Sequence, residues 1–529
     1  MRDKKISARR RETKAHSPKG GKVVTIRTEG RNLGAWRTFA IGFFIILQTA
    51  LLLLFYLGVI SYFRIYQLIA FVLSFICCIH VLSTSKPGHT KTVWVLFLLL
   101  FNSFGYIAYV MSSEKLFFGW AKRRYNKIFK RTQGLTPEYA PLTHVCPQVQ
   151  RDAEYLWNAG GFASYCGSPV KYFPSGASMF DDVLDELERA EKFVFIEFFI
   201  IADGVLLNRF CDVLSQKVKE GVEVRIICDG MGSHGTLSFQ MQIKLKKAGV
   251  KLFRFNRIVP RFTFALNVRD HRKIIVIDGK TAYTGGCNLA DEYVNEKRMH
   301  GYWKDSGIKV GGGAAAGFTL MFLRQWEFVS KKTEDYRKYV LPVENVREGA
   351  VVAPYADGKD YERFVCKGVY SNIMAGTNEK LYIMTPYFIP DEDTAAILAE
   401  KALSGVDVRI ILPDVPDKPY VYRVSVDSAE RLISSGVRVF KMRRAFVHSK
   451  VVFSENCVAV GSVNIDLRSY YNQFENGVYT NDNGVLCDVL RDFENVFKVC
   501  KEVTEKNSTR NKLLPRMVAG VLRVFAPLM

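Results

Sequence analysis

Two stretches of this chain repeat one another, and that repeat limits the fold more than any other feature. EKFVFIEFFIIADG at 191–204 leads through a helical pattern to GVEVRIICDGMGS at 221–233, and EKLYIMTPYFIPDED at 379–393 leads through another to GVDVRIILPD at 405–414. Strand, helix and strand recur in one order, so the chain from about 165 onward reads as an internally duplicated α/β protein.

Each repeat also carries the same short motif. In DHRKIIVIDGKTAYTGGCNLADEY (270–293), strand alternation puts His271 and Lys273 on one face, followed there by Ile275 and Ile277. Asp278-Gly279 signals a hairpin, and Gly285-Gly286 frees the backbone to bring Asn288 back toward the histidine. An imidazole, an ammonium and a carboxamide gathered at one hairpin end suit a phosphate. VHSKVVFSENCVAVGSVNIDLRSY (447–470) repeats the arrangement with His448, Lys450 and, after Gly461-Ser462, Asn464. One H-x-K followed by an acid arises by chance in so long a chain at a level of about a few per cent, whereas two in matching places of a duplication do not. The other six histidines (His16, His80, His89, His144, His234, His300) have no such setting.

The net charge of +22 over 529 residues calls for an anionic partner, nucleic acid or a membrane surface. Residues 1–38 hold twelve Lys/Arg against three Asp/Glu and read as a disordered basic tail. Three apolar segments follow, Phe39–Phe63, Ile65–Ser83 and Thr92–Met111, each near the ~20 residues that span a hydrocarbon core. A cleavable signal peptide fits poorly, because the first segment is long and lacks a small-residue cleavage site. EKLFFGWAKRRYNKIFKRT then brings seven Lys/Arg against one Glu among aromatic residues, the pattern of a helix lying on an anionic bilayer. The positive-inside rule places both basic stretches in the cytoplasm, which requires an even number of crossings. We therefore expect one of the first two segments to be re-entrant or interfacial. The eleven cysteines are scattered, without C-x-x-C or a zinc spacing, so reduced thiols and no metal site are expected.

The sequence resembles the phospholipase D superfamily, whose H-x-K-x4-D repeats form one shared site, and within it the bacterial cardiolipin synthases. The resemblance rests on the hydrophobic N-terminus, IEFFI, ICDGMGS, HRKIIVIDG, AYTGGCN, DEY, GYWKDSG, TPYFIPDED, GSVNIDLRS, QFENG and the closing RVFAPLM. It implies duplicated phospholipase D-like domains with mixed sheets flanked by helices, one active site between them and a membrane region before them. By that resemblance His271 is the nucleophile that forms a phosphohistidine and His448 the general acid/base, with the reverse assignment open. Lys273, Lys450, Asn288 and Asn464 hold the phosphate oxygens in place of a metal ion, and no cofactor is expected. Asp305 of GYWKDSG and Glu475 of QFENG are assigned to orient the imidazoles. Asp278 and its counterpart Glu455 complete the motif; at the far end of the strand they are expected as structural supports. Tyr387 and Glu197, at strand ends, are expected either to face the cleft or to pack in the core, and Phe198 stands where relatives often show tyrosine.

The expected organisation is a basic tail at 1–38, a transmembrane region at 39–113, a basic interfacial segment at 114–135, repeats at 150–345 and 346–510, and an apolar tail at 511–529 that docks on the membrane or on the catalytic domain. The implied reaction passes a phosphatidyl group between two phosphatidylglycerol molecules to give cardiolipin and glycerol, at a multi-pass cell membrane with the catalytic domain on the cytoplasmic side. The alternatives are a hydrolase, a transferase with another acceptor alcohol, and a non-enzymatic anchored protein that binds anionic lipid or nucleic acid. A nucleic-acid partner is not expected, and the sequence leaves the oligomeric state open.

Overall fold

The computed structural model describes residues 63–529 except 85–86, 112–113, 138–140, 258–267, 343–347, 359–362 and 527–529, together with positions 46, 49, 50 and 53. The basic tail and nearly all of the first apolar segment lie outside the described residues.

Two mixed sheets make up the catalytic region. The seven-stranded sheet runs, in spatial order, Val170–Phe173, Gly307–Gly311, Thr281–Gly285, Lys273–Ile277, Phe193–Phe198, Glu223–Asp229 and Lys251–Phe255. The nine-stranded sheet runs Tyr165–Cys166, Val351–Asp357, Glu475–Thr480, Val458–Gly461, Val451–Ser454, Lys380–Met384, Asp407–Pro413, Arg438–Met442 and Cys500–Val503. In each, the strand that opens the repeat pairs in parallel with the next strand of its unit and antiparallel with the H-x-K strand. The duplication is thus visible in the pairing itself.

Helix Gly312–Ser330 lies between the sheets. Its sequence GGAAAGFTLMFLRQWEFVS is apolar nearly all round, and Ala314 to Glu327 are buried apart from Gly317. A helix without a polar face belongs in an interior. Its Phe318, Phe322 and Trp326 share one hydrophobic cluster with Phe195 and Val276 of the first sheet and Val352 and Tyr355 of the second. Burial of that helix therefore joins the two repeats into one core.

The basic segment folds as helix Glu114–Thr132, and part of its apolar stripe packs on the catalytic region. Tyr125 is 4% exposed, stacks on Phe328 with ring centroids 3.7 Å apart and donates to Gln325 Oε1 at 2.7 Å. Arg131 pairs with Glu327, and Arg324 lies over Phe129. Helix Gly312–Ser330 takes up Tyr125 and Phe129, while Trp120 and the cations Lys122, Arg123, Lys127 and Lys130 remain exposed.

Among the described residues Phe63–Ser83 is the one helix long and apolar enough to cross a membrane. The third apolar segment is two helices, Gly88–Leu100 and Asn102–Met111, broken at Phe101 (φ −123°, ψ 50°). They fold back on one another: a Cβ on Gly105 would stand 3.1 Å from the Leu98 Cα. Ser74 donates to the Asn102 carbonyl at 2.9 Å, His80 Nδ1 lies 2.7 Å from the Tyr109 hydroxyl, and Lys91 donates to the Leu82 carbonyl at 3.1 Å. The hairpin tip therefore reaches the middle of Phe63–Ser83, and both hairpin ends return to its C-terminal end. Helices of 13 and 10 residues reach about 20 and 15 Å, short of the ~30 Å hydrocarbon core. Neither helix of this third segment is long enough to cross a membrane by itself, and the first segment lies outside the described residues.

Candidate active site

The two H-x-K strands end facing one another, and pairing between the repeats brings their neighbours together. Upstream of His448, strand Ala445–Val447 pairs in parallel with Tyr302–Lys304 of the first repeat, and His448 N donates to the Lys304 carbonyl at 2.7 Å. Asp305 follows Lys304, so its carboxylate arrives beside the His448 ring, 2.7 Å from Nδ1. The same construction operates in reverse at the other histidine. His271 N donates to the Phe474 carbonyl at 2.9 Å, and Glu475, next in the chain, meets His271 Nδ1 at 2.9 Å. Each imidazole thus takes its carboxylate from the other repeat. Sequence reasoning found the four residues without this crossing, which lies in pairings between segments 143 and 204 residues apart.

With each Nδ1 facing a carboxylate, Nε2 is the nitrogen left for substrate. Both rings are about nine-tenths buried, at 7% exposure. Phe199 packs on His271 at 5.0 Å between centroids, and Tyr293 and Trp303 pack on His448 at 5.2 and 5.4 Å. Burial, with Lys273 and Lys450 close by, holds His271 well below the usual histidine range and His448 down to about 3. That direction favours the neutral form of both imidazoles before a phosphate anion binds. Lys273 donates to the His271 carbonyl at 2.6 Å, and Lys450 to the His448 carbonyl, its Nζ also 2.8 Å from His448 Nδ1. Burial brings Lys273 down to about 8 and Lys450 to about 7, and it raises Glu475 to about 7. Two desolvated ammonium groups beside two neutral imidazoles make a receptor for one phosphate anion, whose charge would restore theirs.

The remaining expected residues divide. Asn464, 5% exposed, hydrogen-bonds Asp466 and leaves its Oδ1, an acceptor, without a hydrogen-bond partner among the described residues. Asn288 is spent on protein: its Oδ1 accepts from Ile200 N at 3.1 Å and its Nδ2 donates to the Tyr293 hydroxyl at 2.6 Å. Asp278 and Glu455 stand at the far end of their strands. Asp278 accepts from the backbone of Glu191, Lys192 and Phe193 at 2.8, 2.7 and 2.9 Å, and Glu455 from Asn378 and Lys380 at 2.8 and 3.2 Å. Both hold the start of their repeat's first strand by its backbone amides and stand away from the histidines. Glu197 lies inside, hydrogen-bonded to Asp270, which Gln325 also contacts at 2.9 Å and which burial raises to about 6. Tyr387 sits at the rim, donating to Asp417 and accepting from Lys418 at 3.3 Å.

Three participants lacked a clear signal in the sequence. Ser462 donates to Glu475 Oε2, Asn476 accepts from Lys273 N at 3.2 Å and donates to Thr284 at 2.7 Å, and Arg272 donates to the Asp357 carbonyl at 2.9 Å. Asn476 lies within QFENG, so the motif contained it, though periodicity gave it no role.

Comparison with known proteins settles the family. The profile described as "Cardiolipin synthase, PLD-like domain" matches residues 183–300 and 370–498, one copy in each repeat, and "Phospholipase_D-nuclease N-terminal" matches 72–113. The cardiolipin synthase of Oceanobacillus iheyensis is 30% identical over 87% of this chain and 98% of that protein. The chain belongs to the cardiolipin synthase family of the phospholipase D superfamily. That membership makes it a membrane-associated phosphatidyltransferase acting on phospholipid. The Alkalihalophilus pseudofirmus cardiolipin synthase is also 30% identical, over 83% of this chain and 89% of its own length. An uncharacterized protein of Streptococcus mutans reaches 36% over 82% of this chain and 96% of that protein. Among solved structures, the phosphatidylserine synthase of Haemophilus influenzae shares the fold, with a TM-score of 0.56, 16% identity and coverage of 72% of this chain and 98% of that one.

Proposed function

We propose that the protein passes a phosphatidyl group from one phosphatidylglycerol to the terminal hydroxyl of another, giving cardiolipin and glycerol. The observation that carries the reading is the crossed pair, His271 with Glu475 and His448 with Asp305, beside two buried lysines. In the first step His448 takes up a proton on Nε2 as the phosphate anion binds; His271 Nε2 then attacks phosphorus, the phosphorus–oxygen bond to glycerol breaks, and His448 gives that proton to the leaving alkoxide. In the second, His448 takes the proton of the acceptor hydroxyl, that oxygen attacks phosphorus and the nitrogen–phosphorus bond breaks. Lys273 and Lys450 bind the non-bridging oxygens, the Asn464 Nδ2 being the amide atom able to join them, and Glu475 and Asp305 hold the rings in register. The near symmetry of the two halves also permits the exchanged assignment.

The same reading extends to the membrane. If the first apolar segment and Phe63–Ser83 each cross once, the hairpin at 88–111 enters and leaves on one side. Both basic stretches and the catalytic region then share the cytoplasmic side, as their charge requires.

The test is product analysis in phosphatidylglycerol vesicles, following cardiolipin, phosphatidic acid and glycerol by mass spectrometry for the wild type, His271→Ala and His448→Ala. Equal amounts of cardiolipin and glycerol, lost in both variants, are expected. Phosphatidic acid without cardiolipin would make water the acceptor and overturn the synthase reading.

A further inference from the structure

The C-terminal helix Leu513–Val524 has two faces, and only one of them belongs to the protein. Ala519, 1% exposed, lies on the covered side, and Leu522 and Ala526 reach a small apolar cluster with Ile389, Val421, Val424 and Leu467. Arg523 donates to Asp427 and Ser428, both at 2.9 Å, and the preceding Ser508 and Thr509 hydroxyls each donate to Glu430 at 2.8 Å. These bonds fasten the helix to Pro419–Glu430. The other side is apolar and bare: Leu513, Leu514, Met517 and Val521 are between 59% and 73% exposed. At 3.6 residues per turn these four fall on one arc with Val518 and Val524, opposite Arg523. A contiguous apolar face of this kind marks an interaction surface.

We propose that this face docks on the anionic bilayer leaflet and seats the rim of the catalytic cleft at the lipid surface. Charge, position and the neighbouring membrane hairpin favour lipid as its occupant. Lys506, Lys512 and Arg516 are exposed along this stretch, and no acid lies between Lys506 and Val524, which complements an anionic surface. The cluster beneath the helix also takes in Tyr387 of the rim and Tyr471, and the Tyr471 ring lies 4.9 Å from that of His89. His89 opens the first helix of the apolar hairpin, so the bare face and the end from which that hairpin departs share a neighbour. Leu467, in the same cluster, follows Asn464 by three residues, so docking here brings the lipid surface close to the phosphate site. The inference rests on the phospholipid-transferase reading for its purpose and on geometry alone for the contact.

The experiment uses the full chain in phosphatidylglycerol vesicles with a polarity-sensitive fluorophore on Val521→Cys, and on Lys219→Cys as a control, after replacing the exposed Cys146 and Cys487 by serine. Quenching of the Val521→Cys label by brominated acyl chains, several-fold stronger than at Lys219→Cys, is expected whether or not the enzyme turns over. Equal quenching at the two positions overturns the proposal. So does a spectral shift that follows protein concentration without lipid, which would place a second copy on the face. A second measurement compares turnover in Met517→Glu/Val521→Glu: at least a tenfold loss on vesicles with unchanged turnover of short-chain phosphatidylglycerol in micelles is expected. An equal loss on both substrates would mean that the helix serves folding or chemistry instead.

Discussion

Gly286 and Ser462 occupy equivalent places in the two repeats, and the difference between them follows from the carboxylates they face. A Cβ on Gly286 would stand 2.0 Å from Asp305 Oδ1 and 2.7 Å from the His448 carbonyl, so the short aspartate approaches only bare backbone. Ser462 meets Glu475 instead and donates its hydroxyl to it. Gly286→Ala is expected to push Asp305 off His448 and lower kcat by about 10–100-fold, as loss of an orienting partner does; kinetics on purified, folded protein would check it. The lysines set a pH dependence. Because burial lowers Lys450 to about 7 and Lys273 to about 8 from 10.5, each loses its proton earlier than in the unfolded chain. The cleft therefore sheds positive charge as pH rises through that window, and binding of a phosphodiester anion takes up a proton from solvent. KM is expected to rise with pH above about 7, approaching tenfold per unit for each lysine, and Lys450→Met should flatten the lower limb.

The hairpins were the most legible elements. Asp278 and Gly279 adopt φ of 54° and 68°, the left-handed pair that an Asp-Gly turn supplies, and the H-x-K strands stand where alternation placed them. The second hairpin is one residue shorter from histidine to asparagine and has glutamate for aspartate, and Glu455 reaches two backbone amides. Asp278→Ala leaves three amides without their acceptor and is expected to cost about 2–4 kcal/mol of stability, read by denaturant unfolding, while the folded fraction keeps its kcat. Other elements could not be read locally. The aromatic stripe on Glu114–Thr132 fits a bilayer or a protein groove equally well, and the groove that takes up Tyr125 belongs to helix Gly312–Ser330, with Gln325 200 residues downstream. Asn288 shows the same limit at a single side chain. Its spacing returned it toward the histidine, but Ile200 and Tyr293 took up its amide.

At the scale of the whole molecule the duplication makes one site because neither half is complete. Each repeat supplies a histidine and lysine and orients the histidine of the other, and a core shared through Gly312–Ser330 keeps the two in register. Two copies of the motif were plain in the sequence; their mutual dependence was not, because it resides in parallel pairings between distant segments. The membrane region follows the same division: its apolar lengths were readable, whereas the fold-back at Phe101 was a matter of packing against Ser74 and His80. The central claim is a phosphatidyl group carried on a histidine of this shared site. Its most direct test mixes the wild type with phosphatidylglycerol labelled in the phosphate, quenches in alkali, where phosphohistidine survives, and maps the labelled peptide. The account predicts label on His271 that unlabelled phosphatidylglycerol chases into cardiolipin. Label on His448 would exchange the two roles, and turnover with neither histidine labelled would contradict the account.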